Sequence, residues 1–393
     1  MSREIRCKDY DVAIVDRVRS SEPTRDPLDT VMKAAVLLHE NGQSTSMTLT
    51  AVHRLNSGLS VDSKLIPSWA SLLLVGAGTE ASVRVAAVSP VSVNMRRVAS
   101  AMTAIDRAEE GPLNHGVISD ELGAANAEPA SNAVLFTLAC ATGAGALAVV
   151  FGATNPLVVL LAAASAAAGG VIRRVLGHLR IGILGQALAA AIVAGLVGAL
   201  AAHLNFGAAT QLVAVCPAMV LVPGPHILNG ALDLLGLRIT LGIARLTYAA
   251  LVLAAIAAGL VVGLRLGGQT LSVSSVGAPV PLYADVVAAG IAAGSYGVYF
   301  SMPYRMIGWP VVVGMIAHAV HWWVLRSSND DLALAALIAC LVVGVILVPI
   351  AHIRRIPFAA VGFASVVALV PGLYVFRTLA GLMQLPGAVS PSL

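Results

Sequence analysis

Acidic residues all but vanish from the last two-thirds of this 393-residue chain. The last of the eight glutamates is Glu128, and beyond it the only acids are Asp233, Asp285, Asp330 and Asp331. Lysine is scarcer: Lys8, Lys33 and Lys64 are all there are, each in the first third. Charged residues make up 11% of the chain, against about 25% in soluble globular proteins, which excludes a wholly soluble fold. Cysteine is sparse and scattered. Cys7, Cys140, Cys216 and Cys340 lack the clustered spacing of a disulfide framework or zinc site, and the last three sit in apolar runs, where buried, inert thiols are expected. A net charge of +4 calls for no nucleic-acid partner. The polar opening "MSREIRCKDYDVAIVDRVRSSEPTRDPLD" has no apolar core, so no cleavable signal peptide is expected and the N-terminal region is expected to remain cytoplasmic.

Apolar sequence takes the place of charge: 58% of residues are hydrophobic. The change of regime near residue 130 predicts a mainly α, polytopic helical membrane protein preceded by a small α+β cytosolic domain. The expected divisions are a flexible tail over 1–27, the cytosolic domain over 28–128, and two membrane modules over 129–268 and 269–393. Within the first domain "LDTVMKAAVLLH" has helical spacing, and a second helix begins at Ser44 or Thr45 and runs to about Asn56. "SLLLVGA" and "SVRVAAV" read as strands, and "SVNMRRVASAMTAIDRAEEG" as an amphipathic helix. His39, Glu40 and His53 lack the HExxH spacing of a zinc site, and Ser44 with His39 or His53 would need a geometry that sequence does not fix. No metal or cofactor is expected.

Nine apolar runs approach the roughly 20 residues a span requires. They fall near 132–152, 156–172, 181–203, 208–223, 240–263, 282–302, 306–325, 331–351 and 357–377, the second and fourth being short or broken by Gly and Pro. With a cytoplasmic N-terminus, Arg173, Arg174, Arg180, Arg238, Arg245, Arg305, Arg354 and Arg355 fall on the inside, and only Arg265, Arg326 and Arg377 outside, as the positive-inside rule requires. Trp309, Trp322 and Trp323 sit at span ends. "AAHLNFGAATQLVAVCPAMVLVPG" matches "IAHIRRIPFAAVGFASVVALVPG": His203 precedes His352 by 149 residues, and Pro223 precedes Pro371 by 148. Phe151 and Phe300, each with a proline just beyond (Pro156, Pro303), keep the same offset. Five spans separate equivalent points, so the copies would lie inverted in the bilayer, a transporter signature when the helices are broken at matching positions.

The breaks concentrate the chemistry. Pro223 cannot donate an N–H and frees the carbonyl of Met219, while Pro225 suits the first turn of a new helix with N–H groups open to an anion. His226, Asn229, Gly230 and Asp233 then share one helical face. In the second copy Tyr374, Arg377 and Gly381 stand where His226, Asn229 and Asp233 stand in the first. A carboxylate in one half and a guanidinium in the other suit a zwitterion, and Arg245 is placed to pair with Asp233 or to face headgroups. The substrate-binding candidates are therefore Pro223, Gly224, Asn229, Asp233, Pro371, Gly372 and Arg377. Asp233, Asp285 and His226 are the proton-coupling candidates. Asp233 leads by elimination: Asp330 and Asp331 sit in a polar loop, and Asp285 lies one turn into its span, near water. His318 and His321 share one side of a span with Trp322 and read as polar residues at a helix end.

At these residues the chain resembles the threonine/serine exporter family. "LLHENGQSTSMTLTAVHRLNSGLSV" resembles the start of its cytosolic domain and "LVPGPHILNGALDLLGLR" its first Pro-Gly motif. "YGVYFSMPYRMIGWPVVVGMIAH" and "IPFAAVGFASVVALVPGLYVFRTLAGL" resemble its second module. The resemblance implies proton-driven export of threonine and serine across the inner membrane, a count of ten spans where nine are read here, and roles for Pro223, Gly224, Asn229, Asp233, Pro303, Pro371 and Gly372. The expected partners are threonine, serine or a similar small solute, the proton, membrane lipid and a second copy of the chain. Rival readings are a dicarboxylate exporter, succinate-like in substrate, a hydrolase tethered to the membrane, and a receptor or scaffold.

Overall fold

The computed structural model describes residues 26–77, 82–111, 114–204, 208–270, 279–369 and 378. Helix α1 (Pro27–Glu40) starts where Asp26 accepts from the N–H of Leu28 at 2.9 Å, with proline in the first turn, where its missing N–H costs nothing. Helix α2 (Thr45–Leu59) is capped by Ser44. Strands β1 (Ser63–Pro67), β2 (Ser71–Gly76) and β3 (Val83–Ala87) form an antiparallel sheet in chain order, pairing Leu65 with Leu74 and Leu73 with Val85. Helices α3 (Met95–Glu110) and α4 (His115–Ala127) complete the unit. Val31, Leu38, Leu55, Leu72, Leu74, Ile105, Ile118 and Leu122 are fully buried in its core. β1 and α4 were not anticipated. β1 is five residues with a proline, and the face α4 buries is too small to show as a stripe.

Ten further helices follow. They are α5 (Ala133–Val150), α6 (Pro156–His178), α7 (Ile183–His203), α8 (Leu212–Val220), α9 (Gly224–Leu235), α10 (Ile239–Leu266), α11 (Leu282–Tyr299), α12 (Tyr304–Ser327), α13 (Leu332–Arg354) and α14 (Phe358–Val366). Asparagine or aspartate caps open several: Asn132 for α5, Asn155 for α6, Asp331 for α13. Among the described residues six are long and apolar enough to cross a membrane, namely α5, α6, α7, α10, α12 and α13, and the bent pair α8–α9 adds a seventh where it counts as one span. The expected count of nine exceeds this. α11 does not qualify, its eighteen residues including Asp285, Ser295 and three tyrosines, and the run over 357–377 extends beyond the described residues. The run that looked short at 156–172 is a 23-residue helix. It continues past Gly169 and Gly170 because its terminal arginines have partners: Arg173 bonds the Tyr299 hydroxyl, and Arg174 donates to the carbonyl of Ser131 at 2.7 Å.

The elements recur at a constant interval. α5 begins at 133 and α11 at 282, 149 residues on, and both are eighteen residues long. α7 and α13 keep the same interval, and α6 and α12 one of 148. The turn after the first helix repeats bond for bond: Ala153 N–H donates to Ala148 O and Met302 N–H to Gly297 O, both at 2.9 Å. Each turn passes through the left-handed region, at Gly152 (φ 85°) in one copy and at the less tolerant Ser301 (φ 57°) in the other. α5 and α11 run antiparallel. The Ser131 hydroxyl, just ahead of α5, donates to Val298 O at 2.8 Å near the end of α11, Phe136 stacks on Tyr299 at 5.0 Å, and Thr142 bonds Ser295 at 2.8 Å.

α7 and α10 approach until their backbones nearly touch. A Cβ on Gly195, Gly259 or Gly263 would overlap the carbonyl of Leu260, Leu188 or Ile192 respectively, so only glycine fits. The N-terminal unit grips the helical part in more than one place. Met95 N–H donates to Phe300 O at 3.0 Å. Arg355, just past α13, bonds Asp106 at 2.7 Å and lies 3.4 Å from Glu109, and Arg54 pairs with the same two acids.

Candidate functional site

The chain leaves α8 at Val220, turns through Pro223 (φ −81°, ψ 59°) and resumes as α9 at a bend of 58°. Proline lacks the donor that would continue the ladder, and the Met219 carbonyl is released as expected. It accepts from Tyr296 Oη at 2.9 Å, across from α11, and from Val222 N–H at 3.2 Å. Gly224 faces the ring of Phe363 on α14 so closely that a Cβ would lie inside it, so the first-half break packs directly against a second-half helix. The N–H groups expected to be open to an anion are turned to the chain's own carbonyls: Gly224 to Val222 O at 2.9 Å, His226 and Ile227 to Pro223 O at 3.1 and 3.2 Å.

Beyond the break, His226, Asn229 and Asp233 are buried and each meets the N-terminal unit. His226 Nε2 lies 3.0 Å from Pro90 O, an acceptor, so this nitrogen carries the proton. Asn229 Nδ2 donates to Gly42 O at 3.1 Å, leaving its Oδ1 buried without a partner among the described residues. Gly42 sits at φ 92°, where its lack of a Cβ admits the turn that aims this carbonyl at α9. Asp233, 1% exposed, has three partners: Arg238 Nε at 2.9 Å, Arg245 Nε at 3.3 Å and the Thr45 hydroxyl at 3.0 Å. Arg245, itself buried, also donates from Nη2 to the Thr45 oxygen at 3.3 Å. The site is thus a carboxylate between two guanidiniums, closed by a hydroxyl from another part of the chain.

Residues 29–267, which hold this broken helix and the unit docked on it, match a family model described as a threonine/serine exporter, and residues 285–388 match a second described as Threonine/Serine exporter, ThrE. The chain belongs to the threonine/serine exporter family. Searches of curated proteins and of solved structures found no match. The gap between the two matched segments falls between α10 and α11, where the repeat interval divides the chain. A threonine/serine exporter is a multi-pass membrane transporter of amino acids and not an enzyme. Ser44, considered as a nucleophile, caps α2 instead, accepting from Met47 N–H at 3.4 Å.

Two buried groups of this exporter lie outside the break. Asp285 does not face water: it is 6% exposed, because α12 packs across the first turn of α11 and sets His318 Nδ1 3.1 and 3.2 Å from its two oxygens. His318 is buried too, its Nε2 has no partner among the described residues, and the His321 ring stands 6.0 Å away. His318 therefore forms a buried acid–base pair with Asp285, and the half-buried His321 lies beside it. Asp331 sits at the exposed start of α13 and caps it at Leu334, as a solvated loop residue should. Pro303 is the residue preceding α12. Pro371, Gly372, Tyr374, Arg377 and Gly381 lie outside the described residues.

Of the partners of Asp233, the sequence pointed to Arg245. It missed Arg238, although five residues across a turn is a readable spacing. Thr45, Gly42 and Pro90 were beyond reach, since nothing in one sequence joins residues 188, 187 and 136 apart. Cys340 departs from the expected burial, lying exposed on α13, whereas Cys140 and Cys216 are buried.

Proposed function

We propose that the protein exports threonine or serine from the cytoplasm across the inner membrane, coupled to proton entry. The observation that carries this is the buried arrangement of Asp233 against Arg238 and Arg245 just beyond a broken helix, which offers a carboxylate to an ammonium and guanidiniums to a carboxylate. Pro223 and Gly224 set that face, Asn229 adds a spare amide oxygen, and Pro371, Gly372 and Arg377 are the second-half counterparts. The repeat interval and the antiparallel contact of α5 with α11 support a pair of inverted modules, 129–268 and 269–393, beneath a cytosolic domain over 28–128. Nine crossings follow if α8–α9, α11 and the last run each count as one. The arginine bias supports a cytoplasmic N-terminus.

Asp233 is held by two guanidiniums and the Thr45 hydroxyl, and we assign it to substrate binding. Of the coupling candidates we favour Asp285, whose partner His318 can take or give a proton where an arginine cannot. His226 we assign to docking. Labelled threonine and labelled succinate, offered to everted vesicles under an imposed pH gradient, test the reading. Gradient-driven threonine uptake that Asp285→Asn abolishes supports it. Uptake of succinate in place of threonine favours the dicarboxylate alternative, whose supporting observation is that two guanidiniums face a single carboxylate.

A further inference from the structure

The Thr45 hydroxyl does two things at once. It donates to Asp233 Oδ2 at 3.0 Å and accepts from Arg245 Nη2 at 3.3 Å. Between a carboxylate and a guanidinium, one small atom that both gives and receives a hydrogen bond is a hydroxyl or a water. Thr45 is buried, stands first in α2 and is fixed there by the Ser44 cap, so it is held against the site by a rigid element. The site also has unused bonding capacity: Asn229 Oδ1 and His226 Nδ1 are buried with no partner among the described residues. A docking contact between two parts of one chain has no need of leftover acceptors, whereas a site shaped for a ligand with its own ammonium does.

We propose that Thr45 is a tethered competitor of the substrate, its hydroxyl occupying the position that the hydroxyl of a threonine or serine ligand takes when the N-terminal unit withdraws. The inference rests on the exporter reading above and adds the place and mode of recognition on the cytoplasmic side. In the structure described here Thr45 itself occupies that position, buried against Asp233 and Arg245. A ligand binds only when Thr45 leaves, so the apparent affinity is the intrinsic affinity scaled by the fraction of molecules in which it has left. Weakening the Thr45 contact raises that fraction. The prediction runs opposite to ordinary mutational damage: removal of a buried side-chain hydroxyl should improve threonine binding.

The test uses the full chain in everted vesicles, with labelled threonine as the probe. Thr45→Val keeps the shape and removes the hydroxyl; Thr45→Ser keeps the hydroxyl. Loss of a hydrogen bond to charged groups corresponds to a factor of about ten or more, so the valine variant should lower the KM for threonine about tenfold while the serine variant stays near wild type. Thr45→Ala repeats the measurement should the valine variant fail to insert. An unchanged or raised KM in the hydroxyl-free variants, with or without a fall in melting temperature, overturns the proposal and leaves Thr45 as a docking residue while the exporter reading stands. Wild-type vesicles that take up succinate and no threonine overturn both.

Discussion

Replacing Asp233 by leucine tests how much of the junction between the N-terminal unit and α9 rests on one carboxylate. Asp233 is 1% exposed and Arg245 3%, so the substitution strands a buried guanidinium, a change that costs about 3–5 kcal/mol in comparable sites. Arg238 is 26% exposed and can turn to solvent, so its share is under about 1 kcal/mol. Asp233→Leu is thus expected to destabilise the folded protein by about 3–5 kcal/mol, and Arg245→Met by less, because the Asp233 carboxylate keeps Arg238 and the Thr45 hydroxyl. The double variant is expected to recover most of this loss, because an apolar pair of similar volume often matches a buried ion pair. Unfolding scans of all four proteins in detergent, read by intrinsic fluorescence, give the comparison; Trp69, its ring tilted against Tyr248 at 5.3 Å, reports on the junction. Membrane insertion should be unaffected in every variant, since it depends on apolar helix length. If the double variant loses as much as the two single variants together, the residues do not act as a pair and the electrostatic account of the junction fails.

Pro223→Ala should restore a continuous ladder, withdraw the Met219 carbonyl from Tyr296 and slow threonine export at normal expression. Tyr296→Phe, losing the bond alone, should cost about 1 kcal/mol of stability. Gly224→Ala is a poor probe of the same break, because it collides with Phe363 and should lower the yield of folded protein. Gly263→Leu should force α10 off α7 and cost 3 kcal/mol or so, read as a lost monodisperse peak in size-exclusion chromatography. His39, in the N-terminal unit, has its pKa pushed down to about 4 by burial and then by the Arg245 guanidinium. Below about pH 6.5 the unfolded chain therefore binds a proton that the folded one refuses, and stability should fall by about 3 kcal/mol between pH 6.5 and 4, a slope that His39→Gln removes.

Much of the architecture was legible because membrane burial writes long, simple signals. The lengths of α5, α7, α10, α12 and α13, the prolines that open α6 and α12, and the interval near 149 all stand in the chain as patterns. The Met219 carbonyl was predictable from the chemistry of proline alone. Asp285 was misplaced because depth along a helix says nothing of what packs across it: one turn into α11 looks wet until α12 lays His318 over it. The break was found, but the destination of its polar face was not. His226, Asn229 and Asp233 fit an internal path as well as they fit a second domain, and only the contacts with Pro90, Gly42 and Thr45 separate the two.

The grip of the N-terminal unit on both copies has a mechanical consequence. It holds α9 of the first through buried bonds, and the second both through the buried Met95 N–H to Phe300 O bond and through Arg355, Asp106 and Glu109, which are 41%, 32% and 40% exposed. Any rocking of one copy against the other must stretch one of these attachments, and the wet one is the weaker, since water and salt screen it. The Arg355 cluster is then the latch that gives first, while the buried contacts at α9 and at Phe300 hold. Ionic strength around that cluster would tune how readily the latch lets go, independently of the concentration of the solute being carried.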